Sequence, residues 1–310
     1  MLFLSSYYLF SRSGAIPPMP AFRVACALEI FHAFALVHDD IIDRSSSRRG
    51  LPSLHVRFKN TGAREDNAIN LALVVGDILF GYAMECFFEP GLDPLRSQQA
   101  ARYFLRIAQD TGYGQAVEIA HLEKSLEAVD EAEILHTYYL KTTRYTIECP
   151  LVLGALLTGA SEDVRKTLCD FAQPLGLAFQ IENDLHEIAL LPSENSELAY
   201  DWQQGVKTLF LKQFHDELDA DGRMVLDALL EGTMDQPQRK ALRNLLEQTD
   251  VTRKLRSKIA SSFREAHQVL GLGRLEPRQR KGLALLMDFL GSNSHHSEAE
   301  AMTRQAAGDQ

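Results

Sequence analysis

Residues 22–38, FRVACALEIFHAFALVH, and residues 68–83, AINLALVVGDILFGYA, are apolar around most of a helical circumference. A helix with apolar side chains in nearly every direction has to lie among other helices. The helical period recurs along the chain, and residues 20–46, 66–88, 95–112, 114–128, 131–147, 161–191, 202–218, 236–249, 251–270 and 276–290 read as helices. Breakers such as Glu89-Pro90-Gly91 and Gly271-Leu272-Gly273 separate them. No stretch alternates as a half-buried strand does, and no repeat is evident. The predicted fold is all-α: a single large helical bundle over residues 1–290, with polar side chains directed into a central cavity. Residues 291–310, GSNSHHSEAEAMTRQAAGDQ, are small and polar and are expected to form a flexible tail. His295 and His296 lie there and are not read as metal ligands.

Thirty-two Lys and Arg against 42 Asp and Glu leave a net charge of −10 over 310 residues. Such a chain is a poor general binder of nucleic acid or anionic membrane. A polyanionic ligand would therefore need local cations or metal ions. Cys26, Cys86, Cys149 and Cys169 are widely spaced, without a CxxC pair. That spacing suits neither a zinc site nor a disulfide framework and fits a cytoplasmic protein. No uninterrupted apolar run reaches the roughly 18 residues of a membrane span, so no transmembrane segment is expected. The opening MLFLSSYYLFSRSGA has no basic residue ahead of its apolar stretch, and it reads as a helix rather than a secretory leader.

Asp39, Asp40 and Asp43 follow the apolar run Ala25–His38 directly. Asp39 and Asp43 are four residues apart and share one helix face, where like charges repel. The C-terminal end of a helix is itself negative, which makes three carboxylates there more costly still. Something positive must offset both effects. Oxygen-only ligands in a partly buried place favour Mg²⁺, which keeps waters and shares itself with substrate phosphates. Arg48 and Arg49 come next, and guanidinium forks grip phosphate oxygens in pairs. Farther on, Lys141-Thr142 follows an apolar helix, and a lysine inside a bundle is costly unless paired. Gln180, Asn183, Asp184 and Glu187 fall at i, i+3, i+4 and i+7 on one helix face.

Together these segments resemble the trans-isoprenyl diphosphate synthases over roughly residues 1–290. Residues 38–55, HDDIIDRSSSRRGLPSLH, match the family's first aspartate-rich motif, DDxxD-xxxx-RRGxPxxH, at every fixed position. The resemblance implies that Asp39 and Asp43, with Asp40 alongside, hold Mg²⁺ on an allylic diphosphate. It places Arg48 on that allylic diphosphate, and Arg49 and His32 on isopentenyl diphosphate. Lys141, with Thr142, would neutralise the departing diphosphate. FQIENDLHE resembles the second motif, FQxxDDxxD, with Gln180 kept and Asn183, Asp184 and Glu187 as the candidate metal ligands. Asn183 offers a neutral carbonyl oxygen, and Glu187 reaches one methylene farther than aspartate. DWQQGVKTL resembles DLxxGKxTL, with Val206 in the usual lysine position and Lys207 one residue displaced. Gly76-Asp77 and Gly114-Gln115 also fit and are read as mainly structural. Phe34 and Ala35, five and four places before Asp39, would set the channel floor and hence a product of fifteen to twenty carbons.

The implied reaction is head-to-tail condensation of an allylic diphosphate with isopentenyl diphosphate in a homodimer. The family's GGKxxRP motif has no counterpart in these 310 residues, and MLFLSSYYLF looks like the stretch that follows it. Either the true start lies upstream or half of the isopentenyl site is lost. Two other functions stay open: a class I terpene cyclase or other prenyltransferase on the same fold, and a non-catalytic partner subunit of a synthase. The cyclase motif NDxxSxxxE is met at Asn183-Asp184 but fails at Glu187 and Leu191.

Overall fold

A computed structural model describes residues 1–12, 16–48, 50–88, 90–189, 205–230 and 236–291, with side chains except at 187–189, 236–240 and 243. The expectation of an all-α fold holds. The helices are α1 Leu2–Phe10, α2 Met19–Ile42, α3 Leu54–Asn60, α4 Glu65–Glu85, α5 Pro94–Leu122, α6 Glu131–Tyr138, α7 Cys149–Leu157, α8 Glu162–Ala189, α9 Leu209–Glu217, α10 Ala220–Leu230, α11 Gln236–Gln248 and α12 Val251–Leu272, then α13 over 277–291. A π-helix, Tyr139–Glu148, joins α6 to α7. Strands β1 Ser47–Arg48 and β2 Leu51–Pro52 pair antiparallel in a hairpin. Gly50 turns it at φ 77°, backbone that glycine adopts without a Cβ penalty. The chain forms two compact units, Met1–Leu105 with Val152–Ala160, and Arg106–Leu151 with Ser161–Gln310.

In the first unit α2 and α4 pack along one another, and α3 lies on α4. Their core is aromatic. Phe31 stands edge-on to Phe104 with ring centroids 5.1 Å apart, Phe104 meets Phe87 at 5.0 Å, and Phe34 meets both Phe31 and Phe80 at 5.4 Å. The opening segment is a helix that buries Phe3, Ser6 and Phe10. A Cβ on Gly154 of α7 would come within 2.7 Å of the backbone of Phe3 and Tyr7, so glycine sets that approach.

The expectation that α2 and α4 are enclosed within the chain needs correction. Only 22% of the most apolar stretch of each is buried, and Leu71, Val74, Ile78 and Tyr82 of α4 are exposed. Their spacing of three, four and four residues makes one stripe. Met19–Ile42 and Glu65–Phe88 are also long and apolar enough, at mean hydropathies of 1.5 and 1.8, to cross a membrane by length and composition. The isolated polar residues that interrupt the apolar runs do not lower the average enough to exclude this.

In the second unit α8 lies against α12 and against the π-helix. Its core gathers Ile134, Ile181, Phe210, Phe214, Leu226 and Leu255. Pro174 is accommodated inside α8. The predicted break at residue 113 is absent, because α5 runs on to Leu122. Gly114 is a contact point instead: a Cβ there would lie 2.5 Å from the Lys141 nitrogen and 2.8 Å from its Cα. Of the predicted helix 202–218, residues 205–208 are not helical and a helix starts at Leu209, where the Thr208 hydroxyl caps it by accepting from the Leu211 N–H at 3.2 Å. Residues 201–204 and the predicted tail from 292 onward lie outside the described residues.

Candidate active site

In the first unit, α2 carries His32, Phe34, Asp39 and Asp40 and ends at Asp43, whose N–H donates to the Asp39 carbonyl at 2.8 Å. Arg44 follows in left-handed backbone at φ 56°, and the chain doubles back into the β1–β2 hairpin. That reversal lays Arg48 over the helix end. Its Nε donates to Asp40 Oδ1 at 2.7 Å, and its Nη2 donates to Asp39 Oδ2 at 3.1 Å. The positive charge beside the carboxylates is thus the guanidinium of Arg48. Burial pushes the Asp40 carboxyl above its ordinary value, against the hydrogen bond and charge of Arg48 and the charge of His55. Burial also works against the Arg48 charge, yet Asp40 and Asp39 outweigh it and hold the guanidinium above its ordinary value. Arg49 lies outside the described residues.

His38 precedes Asp39 and packs against Phe34, ring centroids 4.7 Å apart, with its Nε2 3.6 Å from Asp77 Oδ1. The imidazole occupies the space a Cβ on Gly76 would need, which explains the Gly76-Asp77 pair. Phe34 is fixed inside the aromatic core described above.

The second unit holds the other candidates. Lys141 and Thr142 lie in the π-helix, a form with i→i+5 hydrogen bonds that often marks functional sites. The Lys141 ammonium is paired with Glu118 of α5. Gln180 Nε2 donates to Asp184 Oδ1 at 3.1 Å, and the Tyr138 hydroxyl donates to Asp184 Oδ2. That hydroxyl accepts in turn from the Leu209 N–H at 2.7 Å. Asp184 is therefore buried and locked between α6, α8 and the start of α9, whereas its neighbour Asn183 is exposed. The Glu187 side chain lies outside the described residues. Lys207 donates to the Gly205 carbonyl at 2.7 Å, and burial lowers its pKa. His121 of α5 is also lowered, by burial first and then by the charges of Lys124 and Lys207, against Glu133 and Glu118.

Three groups escaped the sequence reasoning. Glu118 pairs with Lys141, and its one signal is its place three residues after Gln115 on the same helix face. Tyr138 ties down Asp184. Arg144 joins Asp110 and, at 3.1 Å, Glu148, which also accepts from the Tyr139 hydroxyl at 3.0 Å. No short-range pattern announces pairs drawn together from separate helices.

Among the described residues no three His, Cys, Asp or Glu side chains are already gathered as a metal cage. The donors at the end of α2 are nevertheless hard carboxylate oxygens. Mg²⁺ typically takes only one or two of these, completing its shell with water and phosphate oxygens. The residues present fit such an ion.

The sequence pattern of the polyprenyl synthetase family matches residues 1–249, and the chain belongs to that family. It is 32% identical over 213 residues to a geranylgeranyl diphosphate synthase of Saccharolobus solfataricus, a stretch covering 68% of this chain and 60% of that protein. A geranylgeranyl diphosphate synthase of Sulfolobus acidocaldarius is 29% identical over 251 residues, 74% of this chain and 71% of that one. The matched stretches thus span 60% and 71% of these relatives and leave the rest uncovered. Among solved structures, a geranylgeranyl pyrophosphate synthase of Corynebacterium glutamicum, complexed with isoprenyl diphosphate and magnesium, superposes with a TM-score of 0.77 at 20% identity, over 92% of this chain and 84% of that one. The geranylgeranyl pyrophosphate synthetase of the archaeon Geoglobus acetivorans superposes at 0.75 with 26% identity, over 93% and 84%.

Proposed function

We propose that this chain is a short-chain prenyl diphosphate synthase, condensing an allylic diphosphate with isopentenyl diphosphate. The observation that carries the proposal is the guanidinium of Arg48 laid across Asp39 and Asp40, an arrangement poised to exchange a carboxylate pair for a diphosphate. Asp39, Asp40 and Asp43 would hold Mg²⁺, with Asn183, Asp184 and Glu187 as further candidate ligands from the second motif. Bound there, Mg²⁺ supplies Lewis-acid charge neutralisation of the diphosphate. Arg48 would turn from the carboxylates to phosphate oxygens in the first unit, and the family resemblance assigns Lys141 and Lys207 of the second unit to diphosphate as cations. Thr142 and Gln180 would orient diphosphate, and the family resemblance gives His32 and Arg49 to isopentenyl diphosphate. Charge that develops on the departing diphosphate is met by cations already in place, the main electrostatic contribution of the protein. The prenyl chain lies toward Phe34, whose ring is held by Phe31 and Phe80 and limits product length.

The test is an assay of geranyl or farnesyl diphosphate with labelled isopentenyl diphosphate and Mg²⁺, with products separated by chain length. Expected are linear diphosphates of fifteen to twenty carbons. Asp39→Ala should lose roughly 100- to 1000-fold in kcat, the scale set by removing one preorganised charge-stabilising group. Release of cyclic hydrocarbon without condensation would make the chain a cyclase. Absence of any turnover, with activity appearing only beside a second synthase subunit, would make it a partner subunit.

A further inference from the structure

Lys141 does not reach into open solvent. Its ammonium is ion-paired with Glu118, and the two side chains are only 23% and 17% exposed. Glu118 is in turn supported by Gln115, whose Nε2 donates to the same carboxylate at 3.3 Å. The backbone beneath the lysine is fixed from two sides. Gly114 of α5 lies against Lys141 itself, and Gly176 of α8 lies against the Thr143 side chain, with no room for a Cβ at either glycine. Any movement of the ammonium is therefore a rotation of its own side chain.

We propose that Glu118 is the resting counter-ion of Lys141, a positioning residue that yields the ammonium to an incoming diphosphate and takes it back as pyrophosphate leaves. This inference rests on the diphosphate-binding role proposed above for Lys141. A partly buried ammonium without an anion is costly. Glu118 keeps it charged and aimed while the site is empty. A diphosphate carries more charge and takes the lysine over. The same competition weakens the bound state by the strength of the ion pair, so it speeds product release. Gln115 holds the carboxylate within reach for recapture.

The experiment measures binding of inorganic pyrophosphate with Mg²⁺ by calorimetry, together with steady-state kinetics, for the full chain and for Glu118→Gln, Glu118→Asp and Lys141→Ala. Charge-assisted bonds of this kind correspond to roughly ten- to a hundredfold in affinity. Glu118→Gln should tighten pyrophosphate by that factor, lower the KM for the allylic diphosphate and lower kcat, because release slows. Glu118→Asp, which pulls the carboxylate back by one methylene, should tighten binding less and serves if the glutamine variant misfolds. Lys141→Ala should weaken pyrophosphate and abolish the gain from Glu118→Gln in the double variant. If the full chain binds pyrophosphate and Lys141→Ala weakens it, yet Glu118→Gln leaves it unchanged or weaker, the counter-ion role is overturned and the diphosphate site stands. A gain that survives in the double variant also overturns the role, since it would not pass through Lys141. If the full chain binds no pyrophosphate at all, the diphosphate site and the counter-ion role fall together.

Discussion

Tyr138 serves two partners with one hydroxyl, donating to Asp184 and accepting from the Leu209 N–H. Tyr138→Phe would take one hydrogen bond from the buried Asp184 carboxylate and leave the buried Leu209 amide without its acceptor, and an unsatisfied group of this kind costs about 1–3 kcal/mol. A lower urea midpoint, with the fold retained, is the expected result; an unchanged midpoint would mean that water or another group replaces the phenol. Lys207 has a different exposure to pH. Burial depresses its pKa, so as pH rises its charge is lost earlier than that of an ordinary lysine. A bound diphosphate stabilises the ammonium and draws the pKa back up, so binding on the alkaline side takes up protons and weakens with rising pH. Relative to the full chain, Lys207→Met should flatten that alkaline limb and Lys207→Arg should carry it to higher pH. Calorimetry in buffers of different ionisation heat reads both the affinity and the proton uptake, and identical limbs in all three proteins would exclude Lys207 as their source.

At the scale of the helices, Gly114 shows why a residue type alone misleads. In sequence it lies beside an expected helix break, and in the structure α5 runs through unbroken and meets the backbone of Lys141 there. Gly114→Ala forces a Cβ against main-chain atoms that no rotamer change can move aside. Overpacking of that order costs about 1–3 kcal/mol, and it should act on Lys141 as well, lowering both the urea midpoint and the affinity for Mg²⁺-pyrophosphate. A stable variant with full affinity would show that the two elements part without cost. Long amphipathic helices such as α8 and α12 were legible because their apolar residues recur at helical spacing. Helix α7, CPLVLGALL, was missed because a uniformly apolar stretch has no period to detect. Helix α3 and the β1–β2 hairpin are too short to leave a periodic trace.

For the whole molecule, the exposed stripe Leu71, Val74, Ile78 and Tyr82 is the feature that a single chain does not account for. Contiguous apolar surface of this kind usually marks an interaction site, and a second copy of the chain is the partner expected from the family resemblance. Ile78→Glu, which sets a charge in the middle of the stripe, should convert a dimer into monomers by light scattering after gel filtration. A wild-type monomer that instead binds lipid vesicles would assign the stripe to a membrane. The first site was legible because its three carboxylates and Arg48 lie within ten residues of one another. The pairing of Lys141 with Glu118 and of Asp184 with Tyr138 was not, because each joins positions 23 and 46 residues apart. The π-helix has a further consequence for how chains like this one tolerate change in length. A π-turn carries more residues than an α-turn, so a single deletion within 139–148 could be absorbed by tightening one turn, leaving the flanking helical phase intact. The same deletion in the middle of α5 would swing every later side chain of that helix by roughly 100°. Gaps between aligned relatives should therefore collect beside the lysine and avoid the helix that carries its counter-ion.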